Sequence, residues 1–333
     1  MGSSRLGYIM AVTSLGIPGS HATAEPLLGR SYDFFGSAVL QAAAERFDVR
    51  NLLDFWGDLA GSGTDTMAQR RVSGMGWGAS FTTLSSETEA ITPSAISAAM
   101  DTTAIGQHGL SFEETFKRAI LSGDGMTLEA AAAMLVDSVQ AKLRSLTAYH
   151  IGANFGSNTA DAAAQADVDD VIATRAAFED YAGFDPAVAR VVGMLDPTQI
   201  KHIRASLRNE TALKFPERFD ADQSLQRNAG FRFTYLDMDF YASGDVTYGS
   251  STWYGGFWQL GALGWVKASP SQVGNIADVN PTFVDELGLL IARETSGTVS
   301  TKKLIAHLFA GVGQVSTDVV PAFQFRSHIR QRY

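Results

Sequence analysis

The sequence predicts an α+β fold, and three observations carry that expectation. A long amphipathic helix spans Thr127 to about Ile151, a stretch rich in Gly, Ser and Thr precedes it, and short helical and strand-like segments alternate after it before a closing β-hairpin. In the helix, Leu128, Ala132, Leu135, Val139, Leu143, Leu146 and His150 recur at three- and four-residue steps, so they share one face. Asp137, Gln140, Lys142, Arg144 and Ser145 fall on the other. Thr127 suits the N-cap, Glu129 meets the positive end of the helix dipole, and Gly152 is the expected stop. At the usual rise the rod is roughly 35–40 Å long, so something must be laid against it.

The flanking segments follow from their punctuation. Residues 1 to about 37 read as an arm, broken by Gly16, Pro18, Gly19, Ser20, Pro26 and Gly29 with no sustained period. Ser37 to Trp56 reads as helical, ended by Gly57 and Gly61-Ser62-Gly63. From Thr64 to Leu110, scattered β-formers at Val72, Trp77, Phe81, Ile91, Ile96 and Ile105 predict a long hairpin-like loop. A loop of this length without an apolar face is not expected inside a compact domain, so it should lean on another subunit.

After the long helix, Val168 to Tyr181 is helical and Ala189 to Leu195 is a short, nearly continuous apolar run, hence a buried strand. Asp196-Pro197 opens another helix: Asp caps, and Pro takes the first helical position. Phe231 to Phe240 suggests a strand. Trp253 to Val266 reads as aromatic β-structure holding three of the five Trp residues. Leu287 to Glu294 and Val299 to Phe309 form a hairpin about Ser296-Gly297, and Val315 to Phe325 is a last extended piece.

Composition narrows the function. The 333 residues, 45% of them hydrophobic, suffice for a sizeable core, and no apolar run reaches membrane-spanning length. Arg5, the run Leu6 to Ile17 and Ala22-Thr23-Ala24 imitate a weak signal peptide, and export is not the expected reading. Cysteine is absent, which excludes disulfides, thiolate catalysis and cysteine-bound metals. A net charge of −9 argues against a dedicated nucleic-acid binder. The end of the chain is locally basic, with Arg326, His328, Arg330 and Arg332 after the last acid. It is a solvated tail or a docking strip for an acidic neighbour or packaged polyanion.

Catalytic and metal-binding patterns do not gather. The six histidines stand singly, and His150 and His202 suit hydrogen-bonded structural roles on helices. Gly74-Met75-Gly76-Trp77-Gly78 lacks the ending of a phosphate-binding loop. Asp237 and Asp239 would share a face of a strand, as a solvated edge before a cation site. Asp167, Asp169 and Asp170 suit a helix start better than a calcium loop. The aromatic run Trp253, Tyr254, Phe257, Trp258 and Trp265 is either a sugar- or base-stacking platform or interior packing, and packing is preferred. No cofactor and no metal are expected, and the chain is not expected to be an enzyme.

Taken in order, the arm, extended loop, long spine helix, α/β insertion and closing hairpin resemble the major capsid proteins of tailed phages, the Hong Kong 97-like fold. The resemblance rests on Ala189 to Gln199, which looks like that family's buried strand and axial-domain helix, and on Thr301-Lys302-Lys303-Leu304-Ile305 after the Ser296-Gly297 turn. It implies an N-terminal arm and helix over 1–56 and an extended loop over 57–111. It also implies a peripheral domain from 112–152 and 278–333, with the spine helix at 127–151, and an axial domain over 153–277. The implied partners are further copies of the chain in hexamers and pentamers, a separate scaffolding protein, a portal, a cement protein and packaged double-stranded DNA, with no membrane. The implied location is the virion, after assembly in the host cytoplasm. Candidate inter-subunit contacts are Arg70, Arg71 and Trp77, with Glu87 and Glu89 of another copy, and Arg326 and Arg330. Some members weld the shell through a loop lysine, but the first lysine here is Lys117, so that bond cannot start from this loop. An encapsulin-type compartment shell shares the resemblance. A secreted carbohydrate-binding α/β protein is the competing class, and a hydrolase with unrecognised Ser or Asp residues has least support.

Overall fold

The computed structural model describes residues 35–44, 49–73, 97–115, 128–181, 184, 189–209, 231–249, 252–273, 281–296, 301–315 and 320–328. Four helices lie among them: α1 (Phe35–Ala44), α2 (Leu128–Asn154), α3 (Val168–Glu179) and α4 (Pro197–Asn209). One six-stranded sheet is built from β1 (Asp54–Asp58), β4 (Gly106–Thr115), β11 (Leu263–Lys267), β12 (Thr282–Val284), β13 (Leu289–Ser296) and β14 (Thr301–Gln314). A seven-stranded sheet contains β5 (Gly156–Asn158), β6 (Val191–Leu195), β7 (Phe231–Tyr235), β8 (Met238–Ala242), β9 (Thr247–Gly249), β10 (Thr252–Gln259) and β15 (Ala322–His328). The remaining strands, β2 (Thr66–Ser73) and β3 (Ser97–Ala104), pair with each other as a separate ribbon.

The expected closing hairpin is present: β13 and β14 pair antiparallel from Leu289↔Leu308 to Ser296↔Thr301. β14 then carries β4 as well, from Thr301↔Thr115 to Ala310↔Gly106, and ends against β11. Sheet membership does not follow chain order. β11 lies inside the 153–277 span yet joins the six-stranded sheet, while β15 lies in the 278–333 span and joins the seven-stranded one.

Two apolar clusters hold these layers. Leu135, Val139, Leu143 and Ile151 of α2 pack with Leu289, Ile291, Leu308 and Val312, and with Val192, Met194 and Trp258 of the other sheet. The opposite face of the seven-stranded sheet packs Val191, Leu195, Phe240, Phe257 and Phe325 against Phe178 and Ile203 from α3 and α4. All five residues of β6 are therefore buried, since successive side chains enter different clusters. That double coverage is why 191–195 carries no polar side chain.

Local capping agrees with the sequence. Asp196 Oδ1 accepts from the Thr198 N–H at 2.7 Å, while Gln199 Oε1 accepts from the Asp196 N–H at 3.0 Å. Gln199 Nε2 also donates to the Phe325 carbonyl and Ser327 Oγ, which ties α4 to β15. Asp167 and Asp170 form a reciprocal capping box at the start of α3.

Five expectations are corrected. The helix expected over 37–56 is a shorter α1, a 3-10 turn at Val49–Leu52 and then strand β1, because β11 takes Phe55 and Gly57 into a parallel ladder, with Trp56 at the register shift between them. Gly152 does not stop α2. Gln324 Nε2 donates to the carbonyls of Ile151 and Gly152, and Gln314 Nε2 donates to that of Asn154, so the final turn is capped from outside. Gln140, placed on the polar face, is buried and accepts from the Val49 N–H at 3.0 Å. The expected strand 231–240 is the hairpin β7–β8, and the aromatic run 253–266 divides between two sheets.

The β7–β8 turn carries strain. Leu236 and Asp237 both have positive φ, 50° and 57°, as a two-residue hairpin of this hand demands. Leu lacks the tolerance that Asn or Gly has there, at a cost of about 1 kcal/mol. Replacing the pair by Leu236→Asn and Asp237→Gly should raise the unfolding free energy by about that amount in urea titration. An unchanged or lower value would remove the strain argument.

His150 pins α2 to β14. Its Nε2 donates to the Val312 carbonyl at 2.9 Å, and its Nδ1 accepts from Asn154 Nδ2 at 2.9 Å, which defines a neutral ring. Burial pushes its pKa below the ordinary 6.5, against a weaker upward pull from the Val312 hydrogen bond. Burial, with the Lys142 charge, pushes His108 the same way. With folded values depressed, the unfolded chain takes protons first, so stability is full above 6.5 and falls as pH drops toward the folded values. Unfolding free energies should therefore decline between about pH 7 and about pH 5, with a shallower slope for His150→Gln. Equal slopes for the two proteins would contradict this role.

Candidate assembly surfaces

The β2–β3 ribbon has eight paired positions, from Thr66↔Ala104 to Ser73↔Ser97. Arg70 lies opposite Met100 and Arg71 opposite Ala99 in the ladder. Trp77, Glu87 and Glu89 lie outside the described residues. Near the base, Thr66, Ala68, Thr102 and Ala104 are exposed, and Met67, Gln69 and Asp101 are partly covered. Thr103 is the buried one, and none of these side chains belongs to either apolar cluster. A lone two-stranded ribbon is marginal in water.

The ribbon is closed at its base by the Ile105 N–H donating to the Asp65 carbonyl at 2.8 Å. Close by, Asp58 fixes the end of β1. Burial opposes ionisation of this carboxyl, yet the Ser269 hydroxyl, the N–H groups of Ala60 and Ser269 and the charge of Lys267 together hold its pKa below the usual value. β1 is also where an aromatic comes to the surface. Phe55 is 53% exposed, 5.0 Å from the Trp265 ring, with Lys267 over its face and Arg50 over that of Trp265.

Arg326 is not part of a free tail. Its N–H donates to Asn158 Oδ1 at 2.7 Å within the seven-stranded sheet, and its guanidinium lies 4.8 Å over the Tyr254 ring. Arg330 lies outside the described residues. The aromatic run makes no continuous platform: Phe257 and Trp258 are fully buried on opposite faces of β10, and Trp265 belongs to the other sheet. Asp237 and Asp239 do not share a face. Asp237 sits in the tight turn, while Asp239 is buried, bonded to Arg190 at 2.7 Å and Thr234 at 2.7 Å. Among the described residues no three His, Asp or Glu side chains gather as metal ligands, and no helix is long and apolar enough to cross a membrane.

Sequence reasoning missed one set of contacts, the glycines beneath the ribbon. Gly311 and Gly313 alternate on β14, where alternate glycines in an apolar strand signal close approach by another backbone.

A long helix against a six-stranded sheet, a second sheet with helices on its far face, and a two-stranded ribbon together define an α+β fold. Solved phage structures share it. A structure from Mycobacterium phage Che8 is similar at 13% identity, with 82% of this chain and 89% of that one covered and a TM-score of 0.54. The mature capsid of bacteriophage PhiM1 is similar at 11% identity, 86% and 88% coverage and a TM-score of 0.53. The capsid of Ralstonia phage GP4 is similar at 12% identity, 86% and 87% coverage and a TM-score of 0.53. At such identities the likeness is one of fold. No protein family and no curated protein matches the sequence.

Proposed function

We propose that this chain is the major capsid protein of a tailed bacteriophage, which self-assembles through hexamers and pentamers into an icosahedral head around double-stranded DNA. The observation that carries the reading is the β2–β3 ribbon, whose described side chains join neither apolar cluster, on a body whose fold is shared with phage capsids. Such a two-stranded ribbon gains stability by lying across a neighbour, and many such contacts close a shell. The protein then acts by packing rather than by catalysis. In this arrangement the six-stranded sheet and α2 serve as the peripheral domain and the seven-stranded sheet with α3 and α4 as the axial domain, which places β11 and β15 across the 277/278 boundary. Arg70, Arg71 and Trp77 meet Glu87 and Glu89 of the next copy, and Arg326 and Arg330 lie toward an acidic neighbour or the packaged DNA. Scaffolding, portal and cement proteins are the partners such a head takes, with assembly in the host cytoplasm and residence in the virion.

Sedimentation and negative-stain microscopy of the purified chain test this reading. Closed particles, or a ladder of pentamers and hexamers, are expected. A strictly monomeric protein at high concentration overturns it, and particles formed in phage-infected cells without DNA would point to a compartment shell instead.

A further inference from the structure

The ladder between β4 and β14 ends at Gly106↔Ala310. Instead of continuing along the edge of β14, the strand entering it from the ribbon lies over the face of β14. Gly311 and Gly313 lie on that face two residues apart, and Gly264 of β11 is the ladder partner of Gly313. A β-carbon on Gly311 would stand 2.1 Å from the Ala104 carbonyl oxygen, and one on Gly313 would stand 1.6 Å from Thr103 Oγ1. One on Gly264 would stand 2.0 Å from the Trp56 indole. Val312, between the two β14 glycines, points the other way into the cluster around α2, and its carbonyl is held by His150. The shelf is thus backed by the apolar cluster around α2.

The contact is one of shape. Thr103 Oγ1 is buried there without a hydrogen-bond partner, and the Ala104 carbonyl is backbone, which cannot turn aside as a side chain can. We infer that this glycine shelf fixes the direction in which the β2–β3 ribbon leaves the body, and so sets the angle at which one copy reaches the next. The second half of that statement rests on the shell reading; the first does not. A methyl group on Gly311 needs the ribbon root to lift by roughly 1.5 Å to reach ordinary contact, and a paired ribbon carries that displacement outward as a change of angle.

Because the chain has no cysteine, two introduced thiols can be spin-labelled cleanly. In the unassembled protein, labels at Thr102→Cys on the ribbon and Ser145→Cys on α2 should give one narrow distance distribution. Gly311→Ala should shift it, and Thr103→Ala, which loosens the contact instead of overfilling it, should broaden it. Thr103→Val, which keeps the shape and removes only the unpartnered hydroxyl, should leave it unchanged. In assembly, Gly311→Ala should give particles of altered diameter or none. Parental distances in both Gly311→Ala and Thr103→Ala overturn the shelf, and so does a parent whose distribution is already broad. A parent with a narrow distribution that never assembles overturns the shell reading while the shelf stands. If Gly311→Ala does not fold, Thr103→Ala alone decides.

Discussion

Excising residues 66–104 and joining Asp65 to Ile105 through a short glycine linker should leave a folded chain that forms no particles. The two ends are already hydrogen-bonded at 2.8 Å, so closing the gap asks little of the backbone. The described ribbon side chains belong to neither apolar cluster, and Thr103 is the buried one, so its loss removes little apolar burial from the body. Loops of this kind are tolerated thermodynamically because closure entropy changes slowly with length. The thermal midpoint should remain near that of the parent, while sedimentation shows monomer where the parent sediments as shells. A truncated chain that still forms particles of parental size would show that the ribbon is not the contact that closes them.

The largest effect on folding is expected from Gly193→Ala in β6. Gly193 is the ladder partner of Phe257, and a β-carbon there would stand 2.2 Å from the Phe257 ring. That ring has no free direction, since it packs edge-on against Phe240 at 5.1 Å and Phe325 at 5.4 Å and is fully buried. Overfilling such a site forces side chains off their rotamers, and the loss should be about 3 kcal/mol in urea titration. On the neighbouring strand a β-carbon at Gly255 would stand 2.4 Å from Leu195 and 2.8 Å from Gln199, so β10 has little room on that side either. A loss below about 1 kcal/mol would mean that this core is looser than the ring geometry implies.

Much of this architecture was legible in the sequence because it rests on local chemistry. The period of α2, the Asp196-Pro197 helix start, the Asp167 cap and the unbroken apolar β6 each state a rule that the fold obeys. The departures arise where tertiary contacts outweigh local preference. Phe55 follows helical spacing until β11 offers it a ladder partner in Trp265, and Gly152 reads as a stop until Gln324 and Gln314 supply the missing caps. Leu236-Asp237 hides a turn because neither residue advertises positive φ. The assembly surface was legible only in outline. A stretch of Gly, Ser and Thr without an apolar face announces an extended loop, but residues some two hundred positions away in the chain decide where its root sits, and only the fold brings Gly311 and Gly313 beneath Thr103.

The central claim is that the β2–β3 ribbon lies against another copy of the chain, and a single thiol reports on it directly. In the cysteine-free background, Thr102→Cys places that thiol at an exposed ribbon position. Its rate of maleimide modification should be fast in monomers and fall by about tenfold or more in assembled material. Equal rates before and after assembly would contradict the account.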